Sequence, residues 1–318
     1  MQSVAFTAAL LLLLSACTRV PDKPLKVGTY PWAASEPLFL ARELNHYPPS
    51  SVHLVEFSSE HQLARAFRNK VIDAATVPLF EALRFEQLGQ EPRVVLMFGA
   101  SQGADCLIAR PEVDSISALR QKRVGHAGGP TTSYLLARIS DRGGLQVEDF
   151  TETVLPPESL EDALKSGRVD AVLTTEPLCG RLMGTTGARR LFDSSHLSGE
   201  LVDVLVVRQK ILDEQPEQVD TLINGWLSAL KHYQAHAAED AGRMAPRLAM
   251  SAASFQETLE KIHMADVDEQ RLHLMGPTPR LRDMLKQVGD MMVDKQLLSE
   301  RPNTERMIDS APLARVLR

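Results

Sequence analysis

Val71-Ile72-Asp73-Ala74-Ala75 and, about 97 residues later, Arg168-Val169-Asp170-Ala171-Val172 are two versions of one short pattern, an acid leading into apolar residues. The likeness extends outward in the same order. Leu63, Ala66 and Phe67 align with Leu160, Ala163 and Leu164. Phe39-Leu40-Ala41-Arg42 matches Leu135-Leu136-Ala137-Arg138 one residue out of register, and Lys26-Val27-Gly28 matches Arg123-Val124-Gly125. Any one match is weak, but four in the same order mark an internal duplication, which sets the architecture before any single element does. Leu25 to Tyr30 and Val52 to Phe57 are short, β-branched and bounded by turn residues, as strands are. Glu36 to Asn45 and Glu60 to Asn69 carry apolar residues at helical spacing. Each copy therefore reads strand, helix, strand, helix, strand, the pattern of a parallel α/β layer.

Two similar α/β lobes follow. Residues 25–104 with 207–318 form the first, and residues 105–206 form the second. Two extended apolar segments, Asp105 to Arg110 and Leu201 to Arg208, are read as the crossings between them. A hinge between twin lobes makes a cleft. From about Gln209 onward the pattern turns helical, with Val219, Leu222, Ile223, Trp226, Leu227 and Leu230, then Met284, Leu285, Val288 and Met291, at spacings of three and four. A stripe of that kind is core, so the tail is expected to pack as helices on the first lobe.

The chain start reads as an export signal. Ala5 to Ala16 is apolar or small throughout, too short to cross a bilayer as a helix, which takes about 20 residues, but right for a signal-peptide core. Residues 1–16 are thus read as a leader and 17–24 as a linker. Leu14-Ser15-Ala16-Cys17 resembles the bacterial lipobox, which implies cleavage before Cys17 and its lipidation. Met1 to Thr7 holds no Lys or Arg, a departure from the usual basic start. Thr18 lacks the Asp associated with inner-membrane retention. The chain is therefore placed on the periplasmic side of the envelope, anchored to the outer membrane in a Gram-negative cell.

Composition narrows the partners. The formal net charge is -6 and aromatics are 5 % of 318 residues; with no Lys/Arg-rich block, a nucleic-acid surface is excluded. Beyond Cys17 only Cys106 and Cys179 remain, too few for a disulfide scaffold. One bridge between them is open in an oxidising compartment, but the sequence does not show that they meet.

A resemblance joins these readings. Lys26-Val27-Gly28 with Trp32 and Pro37-Leu38-Phe39-Leu40-Ala41, Val71-Ile72-Asp73-Ala74-Ala75, Ser101-Gln102-Gly103-Ala104-Asp105, Ser117 to Gly125, Gly167 to Ala171, Thr175-Glu176-Pro177 and Asp203 to Val207 form an ordered set. Together they resemble the NMT1-like, nitrate/sulfonate/taurine/thiamine-precursor-binding branch of the type II periplasmic binding proteins of ABC importers. The resemblance covers about residues 25 to 210. It implies the two-lobe periplasmic-binding-protein fold, a monomer, a small-molecule ligand, and an ABC permease with its ATPase as partners; it implies no cofactor. At Asn69-Lys70 the chain departs from a helix-closing Gly, and Asn69 is expected to take the left-handed cap instead.

Ligands of open α/β sheets bind outside the carboxyl ends of the strands. That rule selects Trp32, Ser58, Ser59, Thr76 and Ser101 from the first lobe. From the second it selects Gly128, Gly129, Thr131, Thr132 and Glu176. Gly128-Gly129-Pro130-Thr131-Thr132 is the most informative stretch: glycine permits close backbone approach, Pro opens a helix, and the free amides favour an anion such as sulfonate, carboxylate or phosphate. Against this, a Gly-Gly-Pro turn also simply joins strand to helix. Trp32 is read as stacking on the ligand. Glu176 is read as accepting from a ligand amine or from its own turn, and Asp105 as structural.

No catalytic residues and no metal ligands are assigned. Gly99-Ala100-Ser101-Gln102-Gly103 matches the nucleophile-elbow pattern, but a strand, Ala104 to Ala109, is expected where the elbow needs a helix. His232 and His236 sit four apart on one helix without a third ligand. Two other readings remain: an enzyme on the same fold, as a pyrimidine-precursor synthase or a Ser101 hydrolase, and a ligand-sensing lipoprotein without a permease.

Overall fold

The computed structural model describes residues 23–197 and 199–318; the leader and Cys17 lie outside them. Two sheets form the frame. In the first, β1 (Leu25–Thr29) lies between β2 (Val52–Glu56) and β3 (Ala74–Pro78), all parallel. β10 (Val202–Arg208) runs antiparallel beside β3, followed by β4 (Pro92–Ser101) and β11 (Ile262–Met264). The second repeats the plan: β6 (Arg123–His126) lies between β7 (Thr151–Val154) and β8 (Ala171–Thr175), all parallel, with β5 (Asp105–Ala109) antiparallel beside β8 and β9 (Arg189–Asp193) at the edge.

The duplication has a physical signature. The Lys26 amide donates to Asp73 Oδ2 and the Arg123 amide to Asp170 Oδ2, both at 2.9 Å. Each acid's own amide returns the bond to the strand carbonyl. The acid that opens each repeated pattern therefore fixes the start of the third strand against the first. The two lobes are the periplasmic-binding-protein fold expected from the sequence.

Helices cover the sheets where the apolar spacing put them. α1 (Pro37–Glu43) and α2 (Glu60–Arg68) follow β1 and β2, and α3 (Leu79–Gln87) follows β3. Ser59 caps α2, its hydroxyl accepting from the Gln62 amide at 3.3 Å, while Leu63, Ala64, Ala66 and Phe67 turn inward. The left-handed residue after α2 is Lys70 (φ 59°) and not Asn69, which corrects the expectation; the counterpart of Lys70 is Gly167 (φ 72°). A non-glycine there costs roughly 1–2 kcal/mol, which the first lobe tolerates and the second avoids.

In the second lobe α4 (Pro130–Gly143), α5 (Leu160–Lys165) and α6 (Leu178–Thr186) follow β6, β7 and β8. The chain crosses between lobes through 102–104 and again between β9 and β10, which corrects the sequence reading: Asp105 to Arg110 and Leu201 to Arg208 hold strands inside the sheets and are not the crossings, and residues 202–206 belong to the first lobe and not the second. Cys106 on β5 and Cys179 on α6 do meet, as a disulfide with Cα atoms 6.2 Å apart.

The tail packs on the first lobe. α7 (Pro216–Ala235) buries the six apolar residues read from its spacing. Trp226 meets Phe98 edge-on at 5.4 Å, and Gly225 leaves room for Tyr47, whose ring a Cβ would strike at 2.5 Å. α8 (Arg280–Asp294) buries Leu285 and Val288 as expected, with Met284 and Met291 at the margin. The tail also contributes β11, which helical reading missed: three residues with only Ile262 fully buried carry too little periodicity to register. No helix among the described residues is long and apolar enough to cross a membrane.

Candidate ligand-binding cleft

The carboxyl ends of β1, β2, β3, β6 and β8 face one another across the two crossings and enclose a cleft of about 750 Å³, within the range of small-molecule sites. Of the residues selected from sequence, Trp32, Ser58, Ser59, Ser101, Gly128, Gly129, Thr131, Thr132 and Glu176 line it. Thr76 does not; it is buried inside β3, where it pairs with Leu205 of β10. The selection rule names strand ends, and Thr76 stands two residues short of one.

Gly128 and Gly129 have φ of 76° and 101°, so this turn needs glycine, and Pro130 opens α4 as read. The Thr132 hydroxyl donates to the Gly128 carbonyl at 3.0 Å. At the helix start, however, stands a carboxylate of the protein itself. Glu60, from the first turn of α2 on the opposite lobe, accepts from the Thr131 hydroxyl at 2.8 Å and its amide at 3.4 Å. Sequence reading counted Glu60 only as a helix opener; nothing local shows that residue 60 faces residue 131.

Two more acids complete the floor. Asp203, at the start of β10, accepts from Trp32 Nε1 at 2.7 Å and is 8 % exposed. Asp105, at the start of β5, is 5 % exposed and accepts from the Ser101 hydroxyl at 2.6 Å. Burial is the main cause that raises all three carboxyl groups. Asp203 goes up to about 8, helped by Asp105 and Glu60 and opposed by the Trp32 bond. Glu60 goes up to about 7, opposed by Thr131 and helped by Asp105. Asp105 goes up to about 6, opposed by Ser101. The Tyr30 hydroxyl beside them is pushed well up by burial and by the same acids.

Glu176 has a different role. Its Oε2 accepts from the Gly180 amide at 2.9 Å, and Oε1 pairs with Arg190 at 3.0 Å and with Lys261 from the first lobe. It thus bridges the lobes, as do Asp141 with Lys295 at 2.6 Å and Phe80 stacked on Tyr134 at 4.9 Å. Ser101 is held by Asp105 and by Ser194 at 2.7 Å, and the element after it is β5, so the elbow pattern lacks its helix. His232 stacks on His236 at 4.2 Å and pairs with Asp240 at 2.6 Å. Among the described residues no group of three or more His, Cys, Asp or Glu is arranged for a metal. Leu248, Met250 and Thr258 of the tail also line the cleft; reading the tail as packing alone missed them.

The fold recurs widely among solved structures. The alkanesulfonate-binding protein SsuA from Xanthomonas axonopodis pv. citri, bound to MOPS, superposes with a TM-score of 0.73 at 19 % identity, covering 91 % of this chain and 99 % of that one. The periplasmic aliphatic sulphonate binding protein SsuA from Escherichia coli gives 0.72 at 17 % identity, covering 91 % and 92 %. The desulfurization enzyme DSZB gives 0.67 at 16 % identity, covering 93 % and 99 %. A search of curated proteins finds no match by sequence. The sequence profile of the NMT1-like family matches residues 18–249, well over half of the chain, and the chain belongs to the NMT1-like family.

Proposed function

We propose that this chain is the solute-binding component of an ABC importer. It is exported, lipid-anchored at Cys17, and captures a small organic solute between its lobes for delivery to a permease. The observation that carries the reading is the cleft itself: strand ends of both lobes line it, and among the described residues the chain passes between the lobes through two short crossings. A ligand touching both lobes adds contacts only when they are closed, so it shifts the population toward closure. The disulfide between Cys106 and Cys179 supports export, since such bonds persist in oxidising compartments.

The likeness to a desulfurization enzyme favours one second reading, an enzyme on the same fold. Chemical conversion of the bound solute would reveal it.

The test is solution scattering on the natively purified protein, before and after removal of co-purifying small molecules identified by mass spectrometry. Returning the solute should shrink the radius of gyration and raise the melting temperature. Tight binding without compaction would remove the two-lobe mechanism.

A further inference from the structure

We propose that the solute is an organic cation, an ammonium or amidinium on an apolar body, with its charged end held by Glu60, Asp105 and Asp203 beside Trp32. The proposal rests on the solute-binding reading above and names the ligand class for that site.

Among the described residues four acids line the cleft, Glu60, Asp105, Glu176 and Asp203, and no Lys or Arg does. The one His, His61, is exposed. Glu176 already has Arg190 and Lys261. The other three have no cation paired with them among the described residues: Asp203 has the Trp32 indole, Asp105 the Ser101 hydroxyl, Glu60 the Thr131 hydroxyl and amide. Arg84 acts on Glu60 from a distance, but pairs with Glu81 at 3.7 Å. Glu60 Oε1 is buried with no hydrogen-bond partner. Asp105 and Asp203, each more than nine-tenths buried, use only one oxygen in the bonds above.

Buried acids without counter-ions are costly, and each of these three repels at least one other. A bound cation supplies what is missing. An anion faces the reverse: the helix start that would hold it is already filled by Glu60, and expelling Glu60 would leave the anion against Asp105 and Asp203. A bare metal ion is disfavoured because no ligand cluster is arranged for one among the described residues. Phe80, Leu135, Leu160, Leu173, Leu201 and Met250 offer the solute body an apolar wall, and the Trp32 and Tyr30 rings favour a cation near their faces.

The same geometry sets a pH dependence. The groups that face the three acids are Tyr30, His61, Glu81 with Arg84, and Glu176 with Arg190 and Lys261. Binding a cation draws the partly protonated acids to their ionised form, so protons leave on binding.

The test is calorimetry on the detergent-solubilised full-length protein with phenethylamine, 2-phenylacetamide and 2-phenylethanesulfonate, at pH 6 and pH 8 in buffers of different ionisation heat. The amine should bind at least tenfold tighter than the other two, release protons, and weaken at pH 6. Glu60→Gln and Asp203→Asn, which can still accept from Thr131 and Trp32, should each weaken amine binding roughly 10- to 100-fold. The apo melting temperature of each should be unchanged or higher, because a desolvated charge is gone. A residue with only a structural role would lower that temperature instead. Preference for the sulfonate, equal binding of all three, no binding of any at millimolar concentration, or proton uptake would each overturn the cationic class. The solute-binding reading would survive those results and falls only if the co-purified solute causes no compaction.

Discussion

Removing the Cys106–Cys179 bond should loosen the second lobe and leave the first intact. Along β5 the side chains alternate: Leu107 and Ala109 join the main core, while Cys106 and Ile108 face a separate cluster under α5 and α6. That cluster holds only short stretches of apolar chain, among them Leu160, Leu164, Val172 and Leu182. The bond ties β5 to α6 across 73 residues of sequence. The loop-closure relation for a loop of that length gives about 4 kcal/mol of stabilisation through the unfolded state. Such a loss corresponds to roughly a thousandfold in an opening equilibrium. Hydrogen exchange read by mass spectrometry resolves it by region, in wild type with and without dithiothreitol and in Cys106→Ala/Cys179→Ala. Amides of β5, β8 and α6 should lose protection by that order, and those of β1 and β3 should keep theirs, because cooperative units open separately. A change below about 1 kcal/mol, or one shared equally by both lobes, would refute the reasoning.

Apo stability should fall as pH rises from about 6.5 to 8.5. Glu60, Asp105 and Asp203 have folded-state values of about 7, 6 and 8, above the unfolded carboxylate range. The folded protein therefore binds more protons, and the stabilisation present at low pH is lost as pH climbs through those values. Glu36 and Glu81, both raised by burial to about 7, act in the same direction. Melting curves across that window should drop by a few kcal/mol in all, and Asp203→Asn should flatten the upper part; a melting temperature that climbs would contradict the assignment. At the chain start, Cys17→Ser should abolish partition of the expressed protein into detergent, and recovery of wild type in the aqueous phase without acylation would remove the lipid anchor.

Most of the fold was legible because it was written twice. Asp73 and Asp170 open the third strand of each sheet by the same pair of backbone bonds, and that local chemistry demands the same residue at both places. Helix spacing in α7 gave its buried face for the same reason: periodicity is a local property. The disulfide, β11 and the Glu60–Thr131 contact were not legible. Each joins segments far apart in sequence, and none imposes a pattern on its own neighbourhood. Glu60 shows the difficulty. An acid in the first turn of a helix already has a sufficient local explanation, favourable charge at the positive end of the dipole, so its second partner 71 residues away leaves no trace.

The duplication also explains how the cleft divides its chemistry. Positions related by the repeat offset line it from the two lobes, but their side chains have diverged. Tyr30, Pro31 and Trp32 correspond to Ala127, Gly128 and Gly129, and Glu60 corresponds to Pro157; all of these line the cleft. The first lobe therefore presents rings and charge where the second presents small side chains and exposed backbone. Gly129 is glycine for its backbone, since its φ is 101°, whereas a Cβ there would make only ordinary contact with Glu60 Oε2 at 3.7 Å. A symmetric cleft with Trp32 and Glu60 repeated on both sides would fill its own volume and double its unpaired charge. Divergence of the second copy toward glycine and alanine leaves the space, and Glu60 and Asp203 of the first lobe with Asp105 of the second leave a charge to be met. Shape is thus set by one lobe and chemical selection mainly by the other, and a change of ligand class would have to begin at residues 30–32, 60, 105 and 203.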